Sequence, residues 1–264
     1  MPQRYDTIGA NYAGYRRPDP RIQAALLEAI GTAESIVNVG AGTGSYEPAN
    51  RFVVAIEPSS AMIRQRPAGS APVVQASAMQ LPFAAGVFAA GMAILTVHHW
   101  ADRARGLAEL RRVVRGPVVL LTVDPGAGGN FWLDRDYFPE MLAHDRQTFP
   151  ALGEVERALG PIEIRTMPIP ADCTDGFRGA YWARPEAYLD PGVQAAISSF
   201  ALSRGTAKGL NRLRQDLASG AWIERNRDIL ACRELDLGYR ILVSRGQGKA
   251  PLRASATNRK EGVL

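Results

Sequence analysis

Three groups of residues in this chain have types and spacings that could do chemistry. Gly40, Gly42 and Gly44 stand at alternate positions directly after the apolar run Val37-Asn38-Val39. A second apolar run, 52–56, ends on Glu57, followed by Pro58. Glycine turns let a backbone come close to a ligand, and a carboxylate at the next strand end can hold a ribose diol, so the pair points to a nucleotide-like cofactor with Ala41 in its loop. The third group is His98-His99, two of the chain's 3 histidines, at the exit of the apolar stretch 84–97. Imidazole titrates near neutrality and can take a proton from a reacting atom. As adjacent strand residues the two would point to opposite faces, one to a pocket and one into packing, with His99 the preferred pocket residue.

Other chemistries lack their residues. The 2 cysteines, Cys173 and Cys232, have no CxxC or Cys/His spacing, so neither a zinc site nor a disulfide framework is expected. There is no G-x4-G-K-[ST] loop and no G-x-S-x-G elbow. His144, between Ala143 and Asp145-Arg146, reads as a surface helix residue.

The elements that must position these groups alternate. Helical periodicity covers 21–30, with Ile22, Leu26, Leu27 and Ile30 on one face; strands follow at 35–39 and 52–56. A helix opens at Ser59, short strands fall at 72–75 and within 87–97, a helix runs over 102–114, and 117–123 is an almost unbroken apolar strand. Such runs suit a parallel sheet covered on both faces, hence an α/β, doubly wound fold. Beyond Asp124 the pattern breaks at Pro125-Gly126-Ala127-Gly128-Gly129. The reading divides the chain into a lid and cofactor half (1–124), a cap insertion (125–150), a return to the sheet (151–170, helix 152–159 and strand 162–169), a second cap insertion (171–235), a last strand (236–245) and a disordered tail (246–264). Both insertions are too long for plain connections and should fold over the carboxyl edge of the sheet.

A dinucleotide turn needs G-x-G-x-x-G, but here Ser45 holds the third position and Gly44 comes one residue early. This G-x-G-x-G resembles class I S-adenosylmethionine-dependent methyltransferases, in the subgroup with ubiquinone-biosynthesis-type and related small-molecule enzymes. The likeness runs from Tyr5 to about Val123. It implies a mostly parallel seven-strand sheet whose last strand inserts antiparallel beside strand five. It implies S-adenosylmethionine as cofactor, with Glu57 on the ribose. The segment from Gln75 to Phe83 is similar to the family's adenine-flanking stretch, placing Ser77, Ala78 and Met79 there. Leu95 to Trp100 is similar to the end of strand four, beside the sulfonium and the acceptor, which includes Thr96. The lead-in Tyr5-Asp6…Tyr12 resembles the segment that reaches the methionine part, with Tyr12 and Arg17 as candidates for its carboxylate. The chain departs from the pattern where Ser77 replaces an acid, so the adenine contact is weaker than with a charged acceptor.

The function implied is methyl transfer to a small-molecule N, O or C acceptor; a cyclase or sensor using the same cofactor is the alternative. Asp124 either orients the acceptor or starts the turn at Pro125. Tyr181 and Trp182 either wall an acceptor pocket or pack the cap. The formal net charge is +5, of which +3 lies in the tail, so a basic tail rather than a nucleic-acid surface is expected. The first residues carry no apolar signal core, and 84–97 falls short of the ~20 residues of a membrane span. A cytoplasmic monomer or homodimer, without membrane, metal or nucleic-acid partner, is therefore expected.

Overall fold

The computed structural model describes residues 12–127, 131–202 and 205–246. The expected disordered tail, from 247 on, lies outside the described residues, as does the side chain of Tyr12. The described chain opens with a short helix, α1 (Tyr12–Tyr15), and then α2 (Pro20–Ile30). Asp19 caps α2 by accepting from the Arg21 N–H at 3.0 Å, Pro20 occupies the first turn, and Gly31 ends it at φ 70°.

Strands β1 (Ser35–Val39) and β2 (Phe52–Ile56) follow, then α3 (Ser60–Arg64), capped by Ser59, and β3 (Val73–Val74). Next come β4 (Ala90–Ile94), α4 (Arg103–Val113), capped by Asp102, and β5 (Val118–Val123). After a π turn (Leu133–Tyr137), α5 (Pro139–Thr148), α6 (Leu152–Leu159), β6 (Ile162–Thr166) and β7 (Ile169–Pro170) lead into the second half of the cap. There, two 3-10 turns (Arg178–Tyr181 and Pro185–Leu189) precede helices α7 (Pro191–Ala196), α8 (Ser198–Leu202), α9 (Thr206–Ser219), α10 (Ala221–Arg225) and α11 (Arg227–Leu230). Strands β8 (Glu234–Leu235) and β9 (Tyr239–Ser244) close the described chain.

Seven strands form one sheet in the order β3-β2-β1-β4-β5-β9-β6. The first five run parallel, and β9 is antiparallel to both of its neighbours, so the expected doubly wound, mostly parallel sheet is present. Two-sided burial follows from the period of two. Ile36, Val119, Leu121, Ile241 and Val243 join the core shared with α2 and the cap. Their neighbours Val37, Val118, Leu120 and Leu242 join the core under α4 and α6.

The expected strand 162–169 is two strands. Pro168 has no N–H to donate to a ladder, so pairing with β9 stops after Met167, whose N–H reaches the Tyr239 carbonyl at 2.9 Å. Ile169 and Pro170 then pair with β8 in a separate two-stranded sheet. The last strand starts at Tyr239 rather than 236, because Gly238 turns at φ 84° and Asp236 caps its N–H at 2.9 Å.

The two insertions share a core of rings. Trp132 meets Trp222 edge-on at 5.0 Å and Tyr188 at 5.6 Å, and Phe138 meets Phe200 at 5.1 Å. Trp132 and Trp182 are fully buried, and their indole N–H groups donate to the carbonyls of Trp182 (2.9 Å) and Ile169 (2.8 Å). A buried indole usually finds such a partner, whereas Trp222, also buried, has none for its N–H among the described residues.

Candidate active site

The glycine loop leaves β1 with three consecutive demands on its backbone. Gly40, Gly42 and Gly44 have φ of 72°, 54° and 94°. The N–H groups of Gly40 and Ala41 both donate to the Ile56 carbonyl, at 2.8 and 3.0 Å, which folds the loop across the end of β2. A Cβ on Gly40 would stand 2.0 Å from Thr96 Oγ1, so only glycine lets the ends of β1 and β4 approach this closely.

Glu57, buried at the end of β2, locks the loop from the other side. Its Oε2 accepts from Gly42 N and its Oε1 from Ser59 N, each at 2.8 Å. A carboxylate oxygen can accept more than one hydrogen bond. These groups line a cleft of about 230 Å³ at the carboxyl ends of β1, β2 and β4. Pro58, Ser77, Ala78 and Met79 form one end of its lining, and Leu95, Thr96, His99 and Trp100 the other. Ser77 Oγ accepts from Met79 N at 3.3 Å, so this hydroxyl shapes its own turn as well as lining the cleft.

His98 and His99 lie on a 3-10 turn, Val97–His99, rather than on strand β4. Consecutive residues of such a turn are about a third of a revolution apart, so the two rings touch, with centroids 3.8 Å apart, instead of facing opposite ways. His98 stacks on Phe149 at 4.1 Å, while His99 borders both the cleft and the space behind it. Just before the turn, Leu95 adopts φ 50°, a left-handed conformation costly for a non-glycine residue and here located at the junction of the two spaces.

Other expected site residues lie elsewhere. Arg17 is exposed and outside the cleft lining; its neighbour Arg16 lines the cleft instead. Arg16 Nε and Nη2 donate to the fully buried Asp175, at 2.6 and 3.3 Å, and the Tyr46 hydroxyl donates to the same carboxylate at 2.8 Å. Burial and the Asp175 charge raise the Tyr46 pKa, so the phenol stays protonated. Asp19 binds this knot to α2 and to Thr174; burial alone would raise its pKa, but hydrogen bonds from Arg21 and Thr174 N–H more than reverse that and hold it below the carboxylate range. Asp124 Oδ1 accepts from Gly126 N at 2.9 Å, the turn-starting alternative, and lies outside the lining. Trp182 is cap core, and Tyr181 packs edge-on to Tyr188 at 5.8 Å; the adjacent Phe177 and Arg178 line the space behind His99 instead. Burial pushes the Cys173 thiol up to about 12, which leaves it inert. Among the described residues no cluster of His, Cys, Asp and Glu could hold a metal ion.

The residues missed by spacing alone are Arg16, Tyr46, Phe149, Arg178 and Tyr239. The aromatic richness of 131–149 and 177–182 was a signal for the last group, but not for which rings face inward.

Residues 37–121 match the family described as "Methyltransferase domain". Over 87% of this chain and 98% of the other, the structure is similar to a candidate methyltransferase from an antibiotic biosynthesis pathway of Anabaena variabilis, with 33% identity and a TM-score of 0.81. The 4+2 cyclase SpnF shares the fold, with 16% identity, a TM-score of 0.50, and coverage of 92% and 93%. Among proteins of curated function, none matches the chain in sequence. The chain belongs to the class I S-adenosylmethionine-dependent methyltransferases. It is an enzyme of that kind, with S-adenosylmethionine as its cofactor.

The cleft fits that cofactor. It offers a buried acid for a diol, a glycine loop whose backbone borders the space, and the side chains of Ala78 and Met79 for an apolar base. Among the described residues no helix is long and apolar enough to cross a membrane.

Proposed function

We propose that this protein transfers a methyl group to the N, O or C atom of a small molecule lying beyond His99. The observation that carries this reading is the adjacency of the two spaces: the cleft beside Glu57 and the space behind His99 share the lining residues Arg16, Leu95 and His99. The likeness to a candidate methyltransferase of an antibiotic biosynthesis pathway supports a small-molecule acceptor.

S-adenosylmethionine, when bound, would supply an electrophilic methyl group for an electron pair of the acceptor. The residues then have separable tasks. Glu57 accepts from the ribose hydroxyls, and Pro58, Ser77, Ala78 and Met79 bound the adenine. The glycine loop, Gly40 to Gly44, brings its backbone alongside. Arg16, held by Asp175, is the cation that lines the lid end of the cleft and takes the methionine carboxylate in place of Arg17. Thr96 and Leu95 set the junction across which the methyl passes. Alignment supplies most of the acceleration in such a displacement. For a hydroxyl or ammonium acceptor His99 takes the proton; His98, stacked on Phe149, supports it.

The test is calorimetry with S-adenosylhomocysteine together with product release. Glu57→Ala is expected to weaken binding by about 1–3 kcal/mol, the cost of removing a buried hydrogen-bond partner. Unchanged affinity would overturn the placement. S-adenosylhomocysteine release that depends on an added acceptor separates transfer from a sensing role. With a hydroxyl acceptor, His99→Gln turning over at the wild-type rate would refute the base role.

A further inference from the structure

The chamber behind His99 holds about 70 Å³, against about 230 Å³ for the cleft, and shares most of its walls with a recess of about 60 Å³. Rings border it. His98 lies stacked on Phe149 at 26° between planes, and Phe177 and Tyr239 tilt together with centroids 4.8 Å apart. Ring faces attract cations as well as apolar groups. Beyond the recess, Asp134, Asp145 and Arg178 border a niche of about 10 Å³, room for one ammonium head or one water. The niche shares no wall with the cofactor cleft.

This end is ionic and unbalanced. A single Arg178 nitrogen, Nη2, pairs with Oδ2 of both Asp134, at 3.2 Å, and Asp145. Two carboxylates against one guanidinium leave one negative charge in excess. Burial raises the pKa of Asp134 to about 6, which still leaves it ionised at neutral pH, and Glu140 adds to the negative field. Arg16, the other guanidinium bordering the chamber, is paired with Asp175. The second oxygen of Asp134, Oδ1, is buried with no hydrogen-bond partner among the described residues, on a side chain only 4% exposed. Arg178 Nη1 is unpartnered as well. Nη1 belongs to a cation already compensated twice over, whereas Oδ1 belongs to a carboxylate that shares its counter-charge with another. The carboxylate is therefore the group most in need of a partner, and a donor that carries positive charge suits it best.

We infer that this chamber takes an amine-bearing small molecule, whose ammonium head is held at the end built by Asp134, Asp145 and Arg178 and whose methyl-accepting atom faces His99. This rests on the proposed placement of the cofactor on the cleft side of His99. An ammonium beside carboxylates keeps its proton and offers no lone pair, so the amine is the anchor and a different atom of the same molecule receives the methyl. An anionic group at that end would meet the excess negative charge, and is disfavoured.

Calorimetry at neutral pH on the full chain saturated with S-adenosylhomocysteine tests this with three probes of similar size: 4-hydroxybenzylamine, 4-hydroxybenzyl alcohol and 4-hydroxybenzoate. The amine is expected to bind at least about tenfold more tightly than either of the others. Asp134→Asn removes the excess charge without emptying the site. It should weaken amine binding by at least about tenfold and leave the alcohol and S-adenosylhomocysteine within about twofold. Ser198→Trp, which narrows the chamber from its opposite wall, should abolish amine binding and spare S-adenosylhomocysteine. With S-adenosylmethionine, any methyl found on 4-hydroxybenzylamine should be on its oxygen; a methyl on its nitrogen would overturn the anchoring role. The alcohol or the benzoate binding as tightly as the amine, no binding by any probe, or amine binding untouched by Asp134→Asn would each overturn the inference. Failure of S-adenosylhomocysteine itself to bind would instead overturn the proposed cofactor placement.

Discussion

The cofactor cleft and the chamber behind His99 share the walls formed by Arg16, Leu95 and His99, yet different kinds of contact build them. The cleft is made by backbone. Its loop is held by N–H groups donating to the Ile56 carbonyl and to Glu57, all within 20 residues of sequence. The chamber is made by side chains from distant segments: Phe149 from the end of α5, Arg178 from a 3-10 turn and Tyr239 from the last strand. A backbone site tolerates change in its surroundings but not in its glycines. A side-chain site depends on the whole cap being packed.

The largest effect should come from the cap. Trp132→Ala removes a fully buried indole and its bond to the Trp182 carbonyl, at a cost of about 3–5 kcal/mol in denaturant unfolding. S-adenosylhomocysteine affinity should nonetheless hold wherever the variant is folded. Lost affinity in the folded variant would break the contrast, because it would make the cleft dependent on the cap.

Gly40→Ala comes next. Its Cβ would overlap Thr96 at a positive φ, so a loss of about 2–4 kcal/mol and of cofactor binding is expected. Gly42→Ala, whose Cβ would meet only Met62 Cε at 3.6 Å, should cost the backbone term alone, about 1–2 kcal/mol. Equal effects in thermal unfolding would mean that close packing with Thr96 is not what requires glycine at 40.

Asp134→Asn sharpens the other side. The folded pKa of Asp134, about 6, lies above its ordinary 3.8. Between these values the folded chain keeps a proton that the unfolded chain has released. Stability from this group is therefore full below about pH 4 and is lost as the pH rises to about 6. The Asn variant lacks that loss, so relative to wild type it should gain on the order of 3 kcal/mol across this window, read from urea midpoints at a series of pH values. A flat difference would mean Asp134 is ionised throughout. Last, Arg17→Ala should shift stability and cofactor affinity by less than about 0.5 kcal/mol, as expected of an exposed charge.

How much of this was legible follows from how far each interaction reaches. The helix 102–114 was readable because its cap, Asp102, and its buried stripe, Leu107, Leu110 and Val113, lie within its own turns. The histidine pair was located correctly, but its geometry was not, because a strand and a 3-10 turn share the same few residues and only the pairing of β4 decides where the strand stops. Arg16 and Arg17 are indistinguishable in sequence; Asp175, 159 positions from Arg16, selects between them. Trp182 read as cap core or, less readily, as pocket wall, and it is core, its indole N–H donating to the Ile169 carbonyl 13 residues away.

By itself the sequence determined the alternation that makes a doubly wound sheet, the glycine loop and the acid that faces it, because periodicity, positive φ and strand-end position are properties of a few consecutive residues. Only the tertiary structure decided that Arg16 and not Arg17 enters the cleft, that His99 divides two spaces, and that Arg178, Tyr239 and Phe149 converge behind it. Those choices rest on which distant side chains share a buried volume, and burial is settled only once the whole chain has packed.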